Sequence, residues 1–178
     1  MNKIIAVVSL VVALCLVNWS IFVKEKHLAD GKIVYLELAP VDPRSLMQGD
    51  YMALRFAVAD EVYKALPKVH ESRRWRHDIA AGDGSVVVTL DQRNVATFSR
   101  LDNDQKLSGS EKLLIYRIRN GTVKFATNAF FFQEGQAKSY EAARYGQFRV
   151  NDKGELLLTA MYDKDLNKLE QSIKPASN

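Results

Sequence analysis

Apolar and polar positions divide the chain into three parts. Positions 4–23 form a run of twenty mostly apolar residues without a charge. As a helix rising about 1.5 Å per residue, that run spans roughly 30 Å, the thickness of a bilayer core. Lys3 precedes it and Lys24-Glu25-Lys26 ends it. Short alternating apolar stretches then continue to about residue 165, and the remainder is polar. The pattern predicts an N-terminal membrane anchor over residues 1–26, a β-rich domain over 27–165 and a polar tail over 166–178. The chain from Asp163 on is expected to fray after a brief helix.

Within the middle part, positions 33–38 are β-branched and aromatic. Val34, Leu36 and Leu38 fall on one face, and Tyr35 and Glu37 on the other. Positions 51–56 alternate likewise, with Met52, Leu54 and Phe56 inward and Arg55 outward. Both stretches read as half-buried strands on one core. If they pair antiparallel, Glu37 and Arg55 meet on the outer face. The connector between them resembles one helical turn with both ends marked. Asp42 suits an N-cap, Pro43 the first helical position and Gly49 a left-handed stop. Leu46 and Met47 would face the core and Arg44 the solvent. On this reading Asp42, Pro43 and Gly49 are scaffold. The functional alternative makes Arg44, Asp50 and Tyr51 a ligand-binding cluster on an ordered loop.

Positions 57–66 carry Val58, Val62 and Leu66 at helical spacing, stopped by Pro67. Residues 67–84 read as an irregular surface loop. Strands are predicted at 85–90 and 95–98 around the turn 91–94. Two more, at 112–119 and 122–126, flank Asn120-Gly121, whose residues both tolerate positive φ. Positions 130–132 are three phenylalanines. Positions 137–145 read as a short helix closed by Gly146. A last hairpin is expected over 147–150, a turn at 151–154 and 155–161. The fold class is thus mainly β (α+β). About eight mostly antiparallel strands and two or three short helices follow one N-terminal transmembrane helix.

The segment Gly49-Asp50-Tyr51-Met52-Ala53-Leu54-Arg55-Phe56 resembles the signature that names the GDYXXLXY family of bacterial membrane-anchored proteins. Residues 36–46, Phe131-Phe132-Gln133-Glu134-Gly135, Tyr140 and Arg144-Tyr145-Gly146 are similar to that family too. The last signature position is Phe56 rather than Tyr, which favours a packing role there. The resemblance implies an anchored protein that accompanies a multi-spanning membrane protein, and it implies no activity.

A cleaved signal peptide is the rival reading of positions 4–23. Against it, the run is longer than a usual signal core and no small-x-small site precedes Lys24. Cys15 follows Val-Ala-Leu, a poor lipoprotein site. It lies inside the run, so the remainder has neither thiol nor disulfide. Lys24, Lys26 and Lys32 outnumber Lys3, which weakly favours a cytoplasmic domain. The three-residue start and the indifference of long domains to flanking charge favour the periplasmic side of a bacterial inner membrane, which is the expectation adopted.

The formal charge of +4 is dispersed, too evenly for a nucleic-acid field. The basic cluster Arg73-Arg74-Trp75-Arg76 reads as a solvated loop, with an anionic-partner patch as its alternative. His70, Glu71, His77 and Asp78 fit no zinc spacing, so no metal is expected, and no cofactor motif is present. Ser45-Leu46-Met47-Gln48-Gly49-Asp50 resembles a stretch of bacterial signal peptidases. Val41 stands where that family has its nucleophilic serine, and no lysine-base segment matches. Asp50 and Glu134, near Arg44 and Arg144, form an acid–base pair or a structural network if they converge. The expected function is a non-enzymatic, membrane-anchored accessory or binding domain. Its expected binding surface is the 39–56 connector with the 130–145 segment, and its candidate binding residues are Arg44, Asp50, Tyr51, Glu134, Arg144 and Tyr145. Its structural positions are Asp42, Pro43, Gly49, Leu54, Phe56, Gly135 and Gly146. The alternatives are a hydrolase using Asp50 and Glu134, or a small-ligand or lipid-binding β domain with an apolar pocket.

Overall fold

The computed structural model describes residues 2–39, 47–48, 51–68 and 79–170. Asp42, Pro43, Arg44, Leu46, Gly49 and Asp50 lie outside the described residues, as do the basic cluster 73–76 and His70, Glu71, His77 and Asp78.

The apolar run is helical, as its composition requires. The helix α1 (Asn2–Asp30) continues seven residues past Val23 instead of ending at the lysines. It is long and apolar enough to cross a membrane, and its apolar side chains are exposed throughout the span. Its last turn is tied to the rest of the chain by a reciprocal clasp. The His27 Nε2 lies 3.0 Å from the Arg149 carbonyl oxygen. A carbonyl only accepts, so Nε2 carries the proton. Arg149 Nη1 in turn donates to the Gly31 carbonyl at 2.9 Å. Gly31 is required at this bend: a Cβ there would lie 2.5 Å from the His27 carbonyl oxygen.

The described residues contain ten strands: β1 (Lys32–Glu37), β2 (Met47–Gln48), β3 (Tyr51–Ala53), β4 (Gly82–Leu90), β5 (Ala96–Leu101), β6 (Glu111–Arg119), β7 (Thr122–Lys124), β8 (Ala129–Phe131), β9 (Tyr145–Val150) and β10 (Leu156–Tyr162). They form three antiparallel sheets, ordered β1-β9-β10, β2-β3-β8 and β5-β4-β6-β7. Two short helices accompany them, α2 (Ala57–Ala65) and α3 (Ala137–Tyr140). The mainly β class with an N-terminal membrane-type helix is therefore the observed one.

One hydrophobic core joins the sheets. Val34, Leu36, Val86, Val88, Leu114, Phe148 and Met161 are wholly buried in it. The inward faces of β1 and of the 52–56 stretch are those the alternation predicts: Met52, Leu54 and Phe56 are all buried. The first and third sheets also touch along their edges. Tyr35 N–H donates to the Asn94 carbonyl, and Ile115 N–H donates to the Gly154 carbonyl, each at 2.9 Å. α2 packs Val58, Ala59 and Val62 inward, against β1, β5 and β7.

Several local expectations are corrected. The chain segment after Glu37 meets the signature at a single antiparallel bridge, Leu38 with Phe56, while β3 pairs along its length with β2 and β8. Arg55 consequently reaches Asp60 in the first turn of α2 at 2.7 Å, not Glu37. Residues 82–84 belong to β4 because they pair with residues 116–118 of β6. The helix expected over 137–145 ends at Tyr140, and Gly146 lies inside β9. There its missing side chain makes room: a Cβ would come within 3.2 Å of Phe56, Phe148 and Leu158. The Phe56 and Phe148 rings meet edge to face, 5.4 Å apart, beside it. After β10 the chain turns back instead of forming a helix. The Asp163 carboxylate accepts from the Asp165 and Asn167 N–H groups, and Leu169 N–H donates to the Met161 carbonyl. Asn120-Gly121 does form the β6–β7 turn, with φ of 52° and 66°.

Arg100 is the register partner of Val87 and shares its face, where its guanidinium pairs with Glu111. Ser108 N–H also donates to Glu111, at 2.9 Å. That N–H first, and Arg100 second, hold the Glu111 carboxyl below the usual glutamate range. A lowered folded-state value means the contribution is present above the ordinary glutamate pKa of about 4.3 and is lost as pH falls through the folded value. Glu111→Gln is therefore expected to be less stable than the parent at pH 7. The gap should close in acid below about pH 4, read from urea midpoints across the pH series.

Candidate functional site

The candidate residues fall on two sheets. Tyr51 opens β3 directly opposite Phe131 of β8, and their rings lie 5.8 Å apart. Period-two alternation explains the three phenylalanines: 130 and 132 turn inward while Phe131 points out. Phe132 is buried and Phe131 is 74% exposed. Beneath the sheet Tyr140 of α3 is buried between the inward pair. Its ring is edge-on to Phe130 at 5.0 Å and stacked on Phe132 at 5.3 Å. Glu134 follows on the exposed turn after β8, and Gly135 takes a left-handed φ of 79° there.

Arg144 and Tyr145 begin the β9 side. The Arg144 backbone is held on both sides: its N–H donates to the Tyr162 carbonyl at 2.7 Å, and its carbonyl accepts from Leu38 N–H at 2.8 Å. Its side chain is exposed. Tyr145 stands in register between Glu37 and Tyr162. Tyr51 thus shares one surface with Phe131, Glu134 follows three residues on in the exposed turn, and Arg144 and Tyr145 occupy the neighbouring sheet. Arg44 and Asp50 lie outside the described residues, and with Asp50 so does the Asp50–Glu134 pair.

A second polar group, not anticipated from the sequence, lies across β1, β9 and β10. Gln147 Nε2 donates to the Tyr35 hydroxyl at 3.0 Å, and the Thr159 hydroxyl donates to Gln147 Oε1 at 2.9 Å. The Tyr35 and Tyr162 rings stand edge to face at 5.1 Å. Burial first, then Tyr35, pushes the Tyr162 hydroxyl above the usual tyrosine value. These groups satisfy one another and read as cross-strand structure. Among the described residues no cluster of three or more His, Cys, Asp or Glu is placed to hold a metal ion.

The model of the family described as GDYXXLXY protein matches residues 13–161. The chain belongs to the GDYXXLXY family. No curated protein and no solved structure matches it. In this GDYXXLXY protein the apolar signature positions Leu54 and Phe56 are buried in the core, and Phe56 packs against Gly146 of the later Arg-Tyr-Gly segment. The exposed surface belongs instead to Phe131 and the residues around it. Sequence reasoning took in positions 130–145 as a segment of the expected binding surface and named Tyr51 and Glu134 individually, without singling out Phe131. The signal was present in the run of three phenylalanines, since on a strand one of three consecutive rings must face away from the other two.

Tyr140→Ala should cost about 3–5 kcal/mol by emptying the space between Phe130 and Phe132. Phe131→Ala should change stability by no more than about 0.5 kcal/mol. Urea unfolding of the two full-length variants checks the contrast.

Proposed function

We propose that this GDYXXLXY protein is a non-enzymatic accessory subunit of a membrane protein complex. It is held by one span in a bacterial inner membrane with its β body on the periplasmic side. Its partner is a multi-spanning membrane protein, met by the Tyr51–Phe131 face with Glu134 at its rim. The single observation carrying the reading is the exposure of Phe131. Beyond α1, the large apolar side chains exposed among the described residues are Leu107, at 44%, and Phe131, at 74%. Leu107 lies in the β5–β6 loop, where a lone exposed leucine is ordinary. Phe131 is carried on a strand and braced by a neighbouring tyrosine ring, an arrangement typical of an interface anchor. The sheet beneath it is fixed by the Phe130–Tyr140–Phe132 stack, so the anchor is pre-organised. The periplasmic side follows from the expectation that long domains translocate largely regardless of flanking charge.

Placing a photoreactive phenylalanine at Phe131, and separately at Leu107, tests this in native membranes. A discrete adduct with a multi-spanning membrane protein is expected from position 131 alone. The same adducts from both positions, or none from 131, would contradict the reading.

A further inference from the structure

The β body does not hang from α1 on a linker but lies against its exit. Val23 and Lys26 line one groove with residues 150–153 and Glu155, and Lys24 lines another with Ile115, Arg117 and Leu157. Each groove encloses about 460–470 Å³. Positions 24–27 lie within about 6 Å of the end of the apolar run at 1.5 Å rise per residue. The headgroup layer on each side of a bilayer core is about 5–7 Å deep. With α1 across a membrane, the β9–β10 turn and the outer face of β6 therefore sit at headgroup depth.

The charges at that depth are mostly positive. Lys24, Lys26, Lys32, Arg117 and Lys153 line the two grooves, against Asp30, Asp152 and Glu155. Five cations against three carboxylates line the grooves, and Glu25 at the same depth brings the excess to one. Among the described residues none of these five cations is within ion-pair distance of a carboxylate. A sixth cation, Lys112, stands against Lys32. The Lys32 ammonium first, then burial, lowers its affinity for a proton, while Asp152 opposes this. Two like charges side by side on a surface are unfavourable, and Asp152 offsets that only in part.

We propose that the face of the β body around the exit of α1 is a docking surface for anionic phospholipid headgroups of the bilayer that α1 crosses. The occupant follows from continuity: the grooves open beside the helix that would sit among those lipids. The inference rests on reading α1 as a membrane span. Electrostatic contact of this kind contributes on the order of fivefold in the docked-to-undocked ratio per lysine, and salt screens it.

The test uses the full chain, with Cys15→Ala removing its one cysteine. A fluorophore is attached at Leu157→Cys beside the second groove, or at Glu37→Cys. Glu37 lies five residues from Lys32 along β1, roughly 17 Å away. Chains are reconstituted into phosphatidylcholine vesicles with or without phosphatidylglycerol, both carrying a headgroup quencher. Flotation with the vesicles is scored first. Stronger quenching at 157 than at 37 is expected, rising with phosphatidylglycerol. The docked-to-undocked ratio read from it should fall about fivefold for Lys32→Gln, fall further for Lys32→Gln with Lys153→Gln, and fall in 0.5 M salt. Equal quenching at both positions overturns the docking face. Quenching at 157 that ignores lipid charge and both substitutions overturns the anionic-lipid assignment and leaves the anchor standing. Chains that fail to float overturn the anchor itself, and the docking face with it.

Discussion

The structure depends on how a twenty-residue apolar segment is joined to a body of mixed polar and apolar composition. His27 and Arg149 make that join. His27 is the polar residue that the described structure buries, and it is buried because it has a specific task. Its imidazole N–H donates a hydrogen bond to the Arg149 carbonyl, and the Arg149 guanidinium donates one to the Gly31 carbonyl. An unpaired buried imidazole would cost about 1–3 kcal/mol, so the exchange makes burial tolerable and fixes direction at once. Gly31 completes the bend because no side chain fits against the His27 carbonyl. The β body thereby takes its orientation from the helix, and the residues beside Lys24 and Lys26 acquire a definite depth.

Within the body, the signature and the later Arg-Tyr-Gly segment meet at one place. Phe56 bridges to Leu38, stacks edge-on against Phe148 and fills the space that Gly146 leaves. This packing links the end of β1, the end of the signature and β9, and Phe56 and Gly146 lie about ninety residues apart in the chain. Its consequence for function is a division of labour. Buried apolar signature positions build the body, and the outward positions of adjoining strands, Tyr51 and Phe131, are left to meet something else.

What could be read from the sequence was what nearest neighbours decide. The faces of β1, the inward set Met52, Leu54 and Phe56, the helix α2 and the Asn120-Gly121 turn all follow from period and backbone preference. What could not be read was which strand lies beside which. Arg55 faces outward as expected, yet its partner is Asp60, because β3 runs beside β2 and β8 and leaves only one bridge to the β1 side. Gly146 looked like a helix stop, since a glycine after a helix-forming stretch usually is one. Its actual reason, the ring of Phe56, is invisible locally. His27 gave no signal either, for a histidine four residues past an apolar run is ordinarily solvated. The connector residues Asp42, Pro43, Arg44, Gly49 and Asp50 lie outside the described residues, so their expected roles rest on sequence alone.

The central claim is that helix and body form one continuous unit through residues 24–31. Amide hydrogen exchange on the full chain in a bilayer measures this directly. Protection should persist without a break from residue 23 through the Gly31 N–H, which donates to the His27 carbonyl at 2.9 Å, and match that of β9. Rapid exchange across 24–31, beside a protected span and a protected β9, would mean a flexible tether and would contradict the account.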